Sequence, residues 1–202
     1  MTRPHARKVK GVVCVGTGTI GSSWAAYFLA RGFDVVAIDP APDAAERLDR
    51  NINDSWPKLE RLGLADGAAR SRLTFTPDLS RAVAGAEFIQ ESAPDDEKLK
   101  TDLMAEIDAA APADTVIASS SSEFLPSRIS AKCGHAGRVI VGHPFVPVHL
   151  IPLVEVVGAE STDRAVMDWA MDFYTGIGKR PLRLKKEIEA YVANRLQRAI
   201  FK

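Results

Sequence analysis

Apolar residues arrive in short runs along this chain, and most runs are followed by a stretch with helical spacing. The first run, residues 10–16 (KGVVCVG), is apolar on both faces, as for a parallel strand covered by helices. From Thr19 to Arg31 the spacing turns helical: Ile20, Trp24, Phe28 and Leu29 share a side, and Gly32 ends it. Residues 34–38 (DVVAI) read as a second strand leading to Asp39. The polar stretch after it opens a helix to about Leu62, striped by Leu48, Ile52, Leu59 and Leu62. Pro57 predicts a break or kink there. These elements already form a βαβ unit.

The alternation continues. Thr76 is read as an N-cap, Pro77 as the first helical residue and Asp78 as first-turn charge. AEFIQ is a strand, and residues 98–111 form a helix with Leu99, Leu103, Met104 and Ile107 inward. VIAS, RVIVG and LVEVVG are further strands. A helix from about Thr162 to Thr175 turns Val166, Trp169, Ala170 and Phe173 to one side. RPLRL fits an edge strand, because Pro181 has no N–H to give a central ladder. The rhythm predicts an α/β fold, a Rossmann-like doubly wound and mostly parallel sheet, with too few units for a barrel.

Residues 186–202 (KEIEAYVANRLQRAIFK) differ. Ile188, Tyr191, Val192, Leu196, Ala199 and Ile200 make an apolar stripe on a helix that stops without a cap signal. Such a stripe needs a partner. The expected organisation is a nucleotide-binding domain over residues 1–185 and the opening helix of a truncated all-helical domain over 186–202.

Composition narrows the class. Twenty-six basic residues balance 26 acidic ones over 202 residues, which gives no support to nucleic-acid binding. Cys14 and Cys133 are the only cysteines, so a disulfide scaffold or thiolate metal cluster is not expected and a reducing compartment fits best. No signal peptide or apolar run long enough for a membrane is seen, and a cytoplasmic location is expected.

The first candidate chemistry is Gly16-Thr17-Gly18-Thr19-Ile20-Gly21, a GxGxxG between a strand and a helix. Gly16 suits the tight turn, Gly18 lets backbone approach a pyrophosphate, and Gly21 allows close helix–strand packing. The phosphates would meet free N–H groups at the helix start, around Thr19 and Ile20. Alone, such a motif can be a mere turn. Asp39 decides the matter: it ends the next strand, where it can accept hydrogen bonds from a ribose. Its charge opposes a 2′-phosphate, so NAD is expected rather than NADP. FAD shares the fingerprint, but the chain lacks the segments that usually enclose a flavin.

The second is GHPFVPVHLIPLVEVVG. His143 follows an apolar strand at the end where open α/β sheets place ligands. Glu155 sits among valines and needs a partner, which could be backbone, an arginine, or His143. Paired, Glu155 would orient the imidazole and His143 would move a hydroxyl proton. His149 is the rival base, although its proline-rich surroundings suit a packing residue. Ser122, in a serine loop, is either a turn residue or a donor to a substrate oxygen. No GxSxG or metal-ligand spacing is present.

VGTGTIG, IQESAP, SSSSEFLPS, GHPFVPVHLIPLVEVVG and KEIEAYVANRL together resemble the 3-hydroxyacyl-CoA dehydrogenase superfamily, nearest its carnitine dehydrogenase and L-gulonate 3-dehydrogenase (lambda-crystallin) branches. The resemblance implies His143 as catalytic base, Glu155 as its partner, and Ser122 as a contact to the substrate oxygen. It likewise implies Asn194 as a residue shaping the site and Glu91 and Lys98 as neighbours of the cofactor. On spacing alone, Asn194 and Lys98 read equally well as exposed helix residues. Val146 stands where the family usually has asparagine, and Ser120 replaces another frequent asparagine. The family's helical domain, which closes the cleft and dimerises, implies a homodimer for a full-length form.

The short and nearly neutral stretch NDSWPKLERLGLADGAAR favours a small 3-hydroxy acid over a phosphate-rich acyl-CoA as substrate. A non-catalytic NAD(H)-binding or structural protein is the competing reading.

Overall fold

A computed structural model describes residues 4–201. Eight strands form one sheet in the order β3-β2-β1-β4-β5-β6-β7-β8. These are β1 (Gly11–Val15), β2 (Asp34–Ile38), β3 (Leu73–Thr76), β4 (Phe88–Glu91), β5 (Val116–Ser119), β6 (Val139–Pro144), β7 (Leu153–Gly158) and β8 (Arg180–Arg183). All pairs are parallel except β6 with β7. The helices are α1 (Thr19–Ala30), α2 (Ala44–Leu62), α3 (Leu79–Val83), α4 (Glu97–Ala110), α5 (Pro126–Ile129), α6 (Arg164–Gly176) and α7 (Tyr191–Ile200). The expected doubly wound α/β architecture is what forms.

Both faces of the sheet are buried, for the reason the apolar runs suggest. On one face Trp24 and Phe28 of α1 meet Phe88 of β4 and Phe173 and Tyr174 of α6. The rings of Phe88 and Phe173 lie 4.2 Å apart, and Trp24 stacks on Phe28 at 5.2 Å. On the other face Val13, Ile89, Ile117 and Val141 meet Met104 and Ile107 of α4. Each such side chain contributes about 1.5–3 kcal/mol by leaving water.

Four expectations shift. The helix after β3 begins two residues later, with Asp78 as the N-cap accepting from the Arg81 N–H. Thr76 ends β3 instead, and its Oγ1 accepts from the Asp78 N–H. β3 itself is a half-buried edge strand with no long apolar run to announce it. α2 continues unbroken through Pro57, held by Leu48, Ile52, Trp56 and Leu59 in the core. In α4 the buried stripe is Lys100, Met104 and Ile107, while Leu99 is 42% exposed rather than inward.

The carboxyl ends of β1 and β4 flank the point where strand order reverses, which opens a crevice there. The β6–β7 hairpin ends on the same side of the sheet. No helix among the described residues is long and apolar enough to cross a membrane.

Candidate active site

The crevice is a groove of about 960 Å³ whose walls include Gly16, Gly18, Thr19, Ile20 and Asp39. Gly16 has φ +85°, and a Cβ there would meet Ser92 and Ala93 backbone at 2.8 Å. At Gly21 a Cβ would fall 1.8 Å from the Gly16 carbonyl oxygen. Those two glycines are therefore demanded by the fold. Nothing lies within 4 Å of a Cβ placed on Gly18, so that glycine leaves open space in the groove wall. Gly18 caps α1 without any side-chain bond, which leaves the first helical N–H groups to a ligand.

Asp39 closes the far end. Its Oδ2 accepts from the Thr17 N–H at 2.8 Å and the Thr17 hydroxyl at 3.0 Å, and its Oδ1 accepts from the Ala41 N–H at 3.0 Å. These donors fix the carboxylate at the groove. Arg47 also lines it but is paired with Asp43 one turn earlier. An uncapped helix start, a glycine with room above it and a fixed carboxylate are together what a dinucleotide requires.

Glu91, at the end of β4, is fully buried. Its Oε1 accepts from the Ala93 N–H at 2.6 Å and from Lys100 Nζ at 2.8 Å, and its Oε2 accepts from the Ser119 hydroxyl. Lys100 also donates to the Ala93 carbonyl oxygen at 2.8 Å. Glu91 thus holds the groove wall at residues 92–95 from behind rather than offering an oxygen to it. Lys98 is not brought to the wall: its side chain is 85% exposed and pairs with Asp102 at 2.8 Å. Lys100 takes the inward place. A lysine in register with Met104 and Ile107 was the sequence signal for it.

His143 and Glu155 face each other across β6 and β7 in direct register. His143 Nδ1 lies 2.8 Å from Glu155 Oε2, with side-chain exposures of 8% and 1%. The other oxygen, Oε1, accepts the Val192 and Ala193 N–H groups at the start of α7, each at 3.0 Å. The buried carboxylate thus has the partners its position demands. Next along α7, Asn194 Nδ2 donates to the Ser122 carbonyl oxygen at 3.4 Å. The Ser122 hydroxyl donates to Asp95 on the groove wall at 3.3 Å. A chain of contacts therefore joins His143, Glu155, Asn194 and Ser122 to the groove.

The remaining serines of the loop are structural. Ser119 is spent on Glu91, Ser120 bonds Gln90 and Ser92, and Ser121 accepts from the Phe124 N–H. His149 is buried, with Nδ1 2.7 Å from the Ser23 hydroxyl of α1. It ties the β6–β7 loop to α1, its own N–H also donating to the Ser23 hydroxyl at 3.0 Å. Lys179, also absent from the sequence reading, donates to the Val148 and Ile151 carbonyls and lies over the Tyr27 and Trp24 rings. Burial, helped by Arg31, lowers its pKa to about 7. Val146 lies in this loop and is 55% exposed. Burial pushes the Cys14 thiol up to about 12, consistent with a core residue.

α7 starts later than the periodicity suggests, because Ala190 and Tyr191 take left-handed φ values of 59° and 44°. Tyr191 is buried, whereas Leu196, Ile200 and Phe201 are 60%, 76% and 81% exposed.

Comparison with known proteins agrees with this geometry. L-carnitine dehydrogenase of Streptomyces griseus subsp. griseus is 55% identical over 194 residues, 96% of this chain and 58% of that protein. The enzyme of the same name from Streptomyces coelicolor is 50% identical over 202 residues, 100% of this chain and 63% of that protein. The chain thus spans about three-fifths of the length of these curated relatives. Among solved structures, 5-formyl-3-hydroxy-2-methylpyridine 4-carboxylic acid 5-dehydrogenase, an NAD+-dependent dismutase, superposes with TM-score 0.89 at 31% identity. The match covers 96% of this chain and 63% of that one. The family described as 3-hydroxyacyl-CoA dehydrogenase, NAD binding domain, matches residues 11–188. With its glycine turn, Asp39 and the buried His143–Glu155 pair on the same sheet, the chain belongs to the 3-hydroxyacyl-CoA dehydrogenase family and carries its NAD-binding domain.

Proposed function

We propose that this chain provides the NAD-binding and base-carrying part of an enzyme that oxidises the 3-hydroxyl of a small, carnitine-like 3-hydroxy acid to the 3-ketone. The observation that carries the reading is the His143–Glu155 pair, linked through Asn194 and Ser122 to the groove wall. Glu155 engages Nδ1, which leaves Nε2 as the atom that takes the hydroxyl proton. Ser122 is the donor proposed for the substrate oxygen, and Asn194 sets the position of its loop. A bound NAD would supply the acceptor for the hydride on C3. Gly16, Gly18, Thr19, Ile20, Gly21 and Asp39 are the residues proposed to hold it, with Glu91 shaping the wall beside them.

The preference for a carnitine-like acid rests on the relatives' name and on the short, nearly neutral stretch of residues 53–70, which offers little to CoA phosphates. Residues 1–185 are proposed as the nucleotide-binding unit and 186–202 as the opening of a helical domain. The exposed Leu196, Ile200 and Phe201 support that division. A homodimer of the longer form and a cytoplasmic location belong to the same proposal.

The test is NADH formation, followed spectrophotometrically, with L-carnitine, gulonate, 3-hydroxybutyrate and 3-hydroxybutyryl-CoA. Turnover of carnitine that is lost in His143→Gln is expected. Turnover of the CoA thioester alone would sink the small-acid reading, and NADH binding by the longer form without turnover of any would sink the enzymatic one.

A further inference from the structure

We infer that Tyr191 is a positioning residue for the His143–Glu155 pair, its ring steadying the imidazole and its hydroxyl tying that ring to the Ser122 loop. The inference rests on His143 and Glu155 acting as the pair proposed above. Tyr191 is fully buried. Its ring centroid lies 5.4 Å from that of His143, tilted by 37°, and Phe145 packs on the same imidazole at 5.2 Å. An imidazole held by one hydrogen bond at Nδ1 can still swing about that bond, and the two rings restrict this swing.

The hydroxyl of Tyr191 donates to the Phe124 carbonyl oxygen at 2.6 Å, two residues beyond Ser122. Burial, with the Glu187, Glu155 and Asp95 carboxylates nearby, raises the pKa of the phenol and keeps it a donor. The next two residues give their N–H groups to Glu155, and the third, Asn194, reaches the Ser122 carbonyl. One short segment therefore touches the base, its carboxylate and the serine loop.

The backbone supports the same assignment. Ala190 and Tyr191 both have positive φ although neither is glycine. Such strain persists only where the surroundings over-determine it, and it concentrates at functional sites. Here it turns the Tyr191 ring inward while the two following N–H groups meet Glu155 Oε1. A purely structural helix start would require neither.

The experiment follows the low-field Nδ1 proton of His143 by NMR in the 202-residue chain without substrate. Tyr191→Phe keeps the ring and loses the bond to Phe124, and it should speed solvent exchange of that proton about fivefold. Tyr191→Leu also removes the ring and should broaden the resonance beyond detection. NADH affinity, measured by fluorescence, should stay within about twofold in both, because the nucleotide groove is formed by other residues. Exchange in Tyr191→Phe equal to wild type would overturn the inference, whether or not Tyr191→Leu folds. No turnover enters this measurement, so its failure is distinct from failure of the proposed reaction.

Discussion

Glu155 serves two masters at once: Oε2 holds His143 at 2.8 Å while Oε1 receives the first N–H groups of α7. This arrangement predicts an unusual result for Glu155→Gln. The amide oxygen can still accept from Val192 and Ala193, which leaves the NH₂ facing Nδ1. The imidazole must then accept at Nδ1 and carry its proton on Nε2, where a base needs a lone pair. Turnover should fall by about 10²–10⁴ with the fold and NADH affinity retained. An NMR assignment of the Nε2–H tautomer would confirm the cause, and turnover within about threefold of wild type would refute it.

Gly18 and Gly21 should separate stability from binding. Gly18→Ala meets nothing within 4 Å, so the melting temperature should hold while NADH affinity drops about tenfold or more, as the methyl group occupies pyrophosphate space. Gly21→Ala drives a Cβ to 1.8 Å from the Gly16 oxygen. It should cost about 1–3 kcal/mol or more of stability by urea unfolding. Equal melting temperatures for the two variants would contradict this division.

What was legible in the sequence was local. GxGxxG, Asp39 and the strand–helix rhythm depend on neighbours in the chain, and the structure places them as expected. His143 and Glu155 were readable because a carboxylate between valines must have a partner, and the β6–β7 hairpin puts them opposite. Lys98 was implied by the family resemblance, while spacing also allowed an exposed helix residue; the packing of α4 on the sheet leaves Lys98 in solvent and turns Lys100 inward. Tyr191 read as one more apolar stripe residue. Its place depends on a left-handed turn at a non-glycine pair, which propensity argues against.

Ala190 offers a gain in stability. Its φ of 59° places a Cβ in the left-handed region, which costs an L residue roughly 1–2 kcal/mol and glycine almost nothing. Part of that relief is offset by the greater freedom of glycine in the unfolded chain. Ala190→Gly should therefore raise unfolding stability by about 0.5–1 kcal/mol. It should leave the His143 resonance unchanged, since the N–H groups on Glu155 belong to residues further on. A loss of stability in urea would show that the turn is not strained.

His149 should make the fold sensitive to mild acid. Burial, with the charges of Lys58 and Lys179, lowers its pKa below the ordinary 6.5. Below that ordinary value the unfolded chain binds the proton more readily than the folded one, so stability falls as pH drops. The atomic reason is visible: Nδ1 is engaged by Ser23, while Nε2 is buried with no partner and would have to carry an added proton. His149→Gln removes the titration and, at pH about 7, should cost around 1 kcal/mol through the weakened Ser23 contact. Between pH about 7 and about 5 its urea midpoint should then decline less steeply than that of the wild-type chain. Parallel profiles would mean that the acid sensitivity arises at another group.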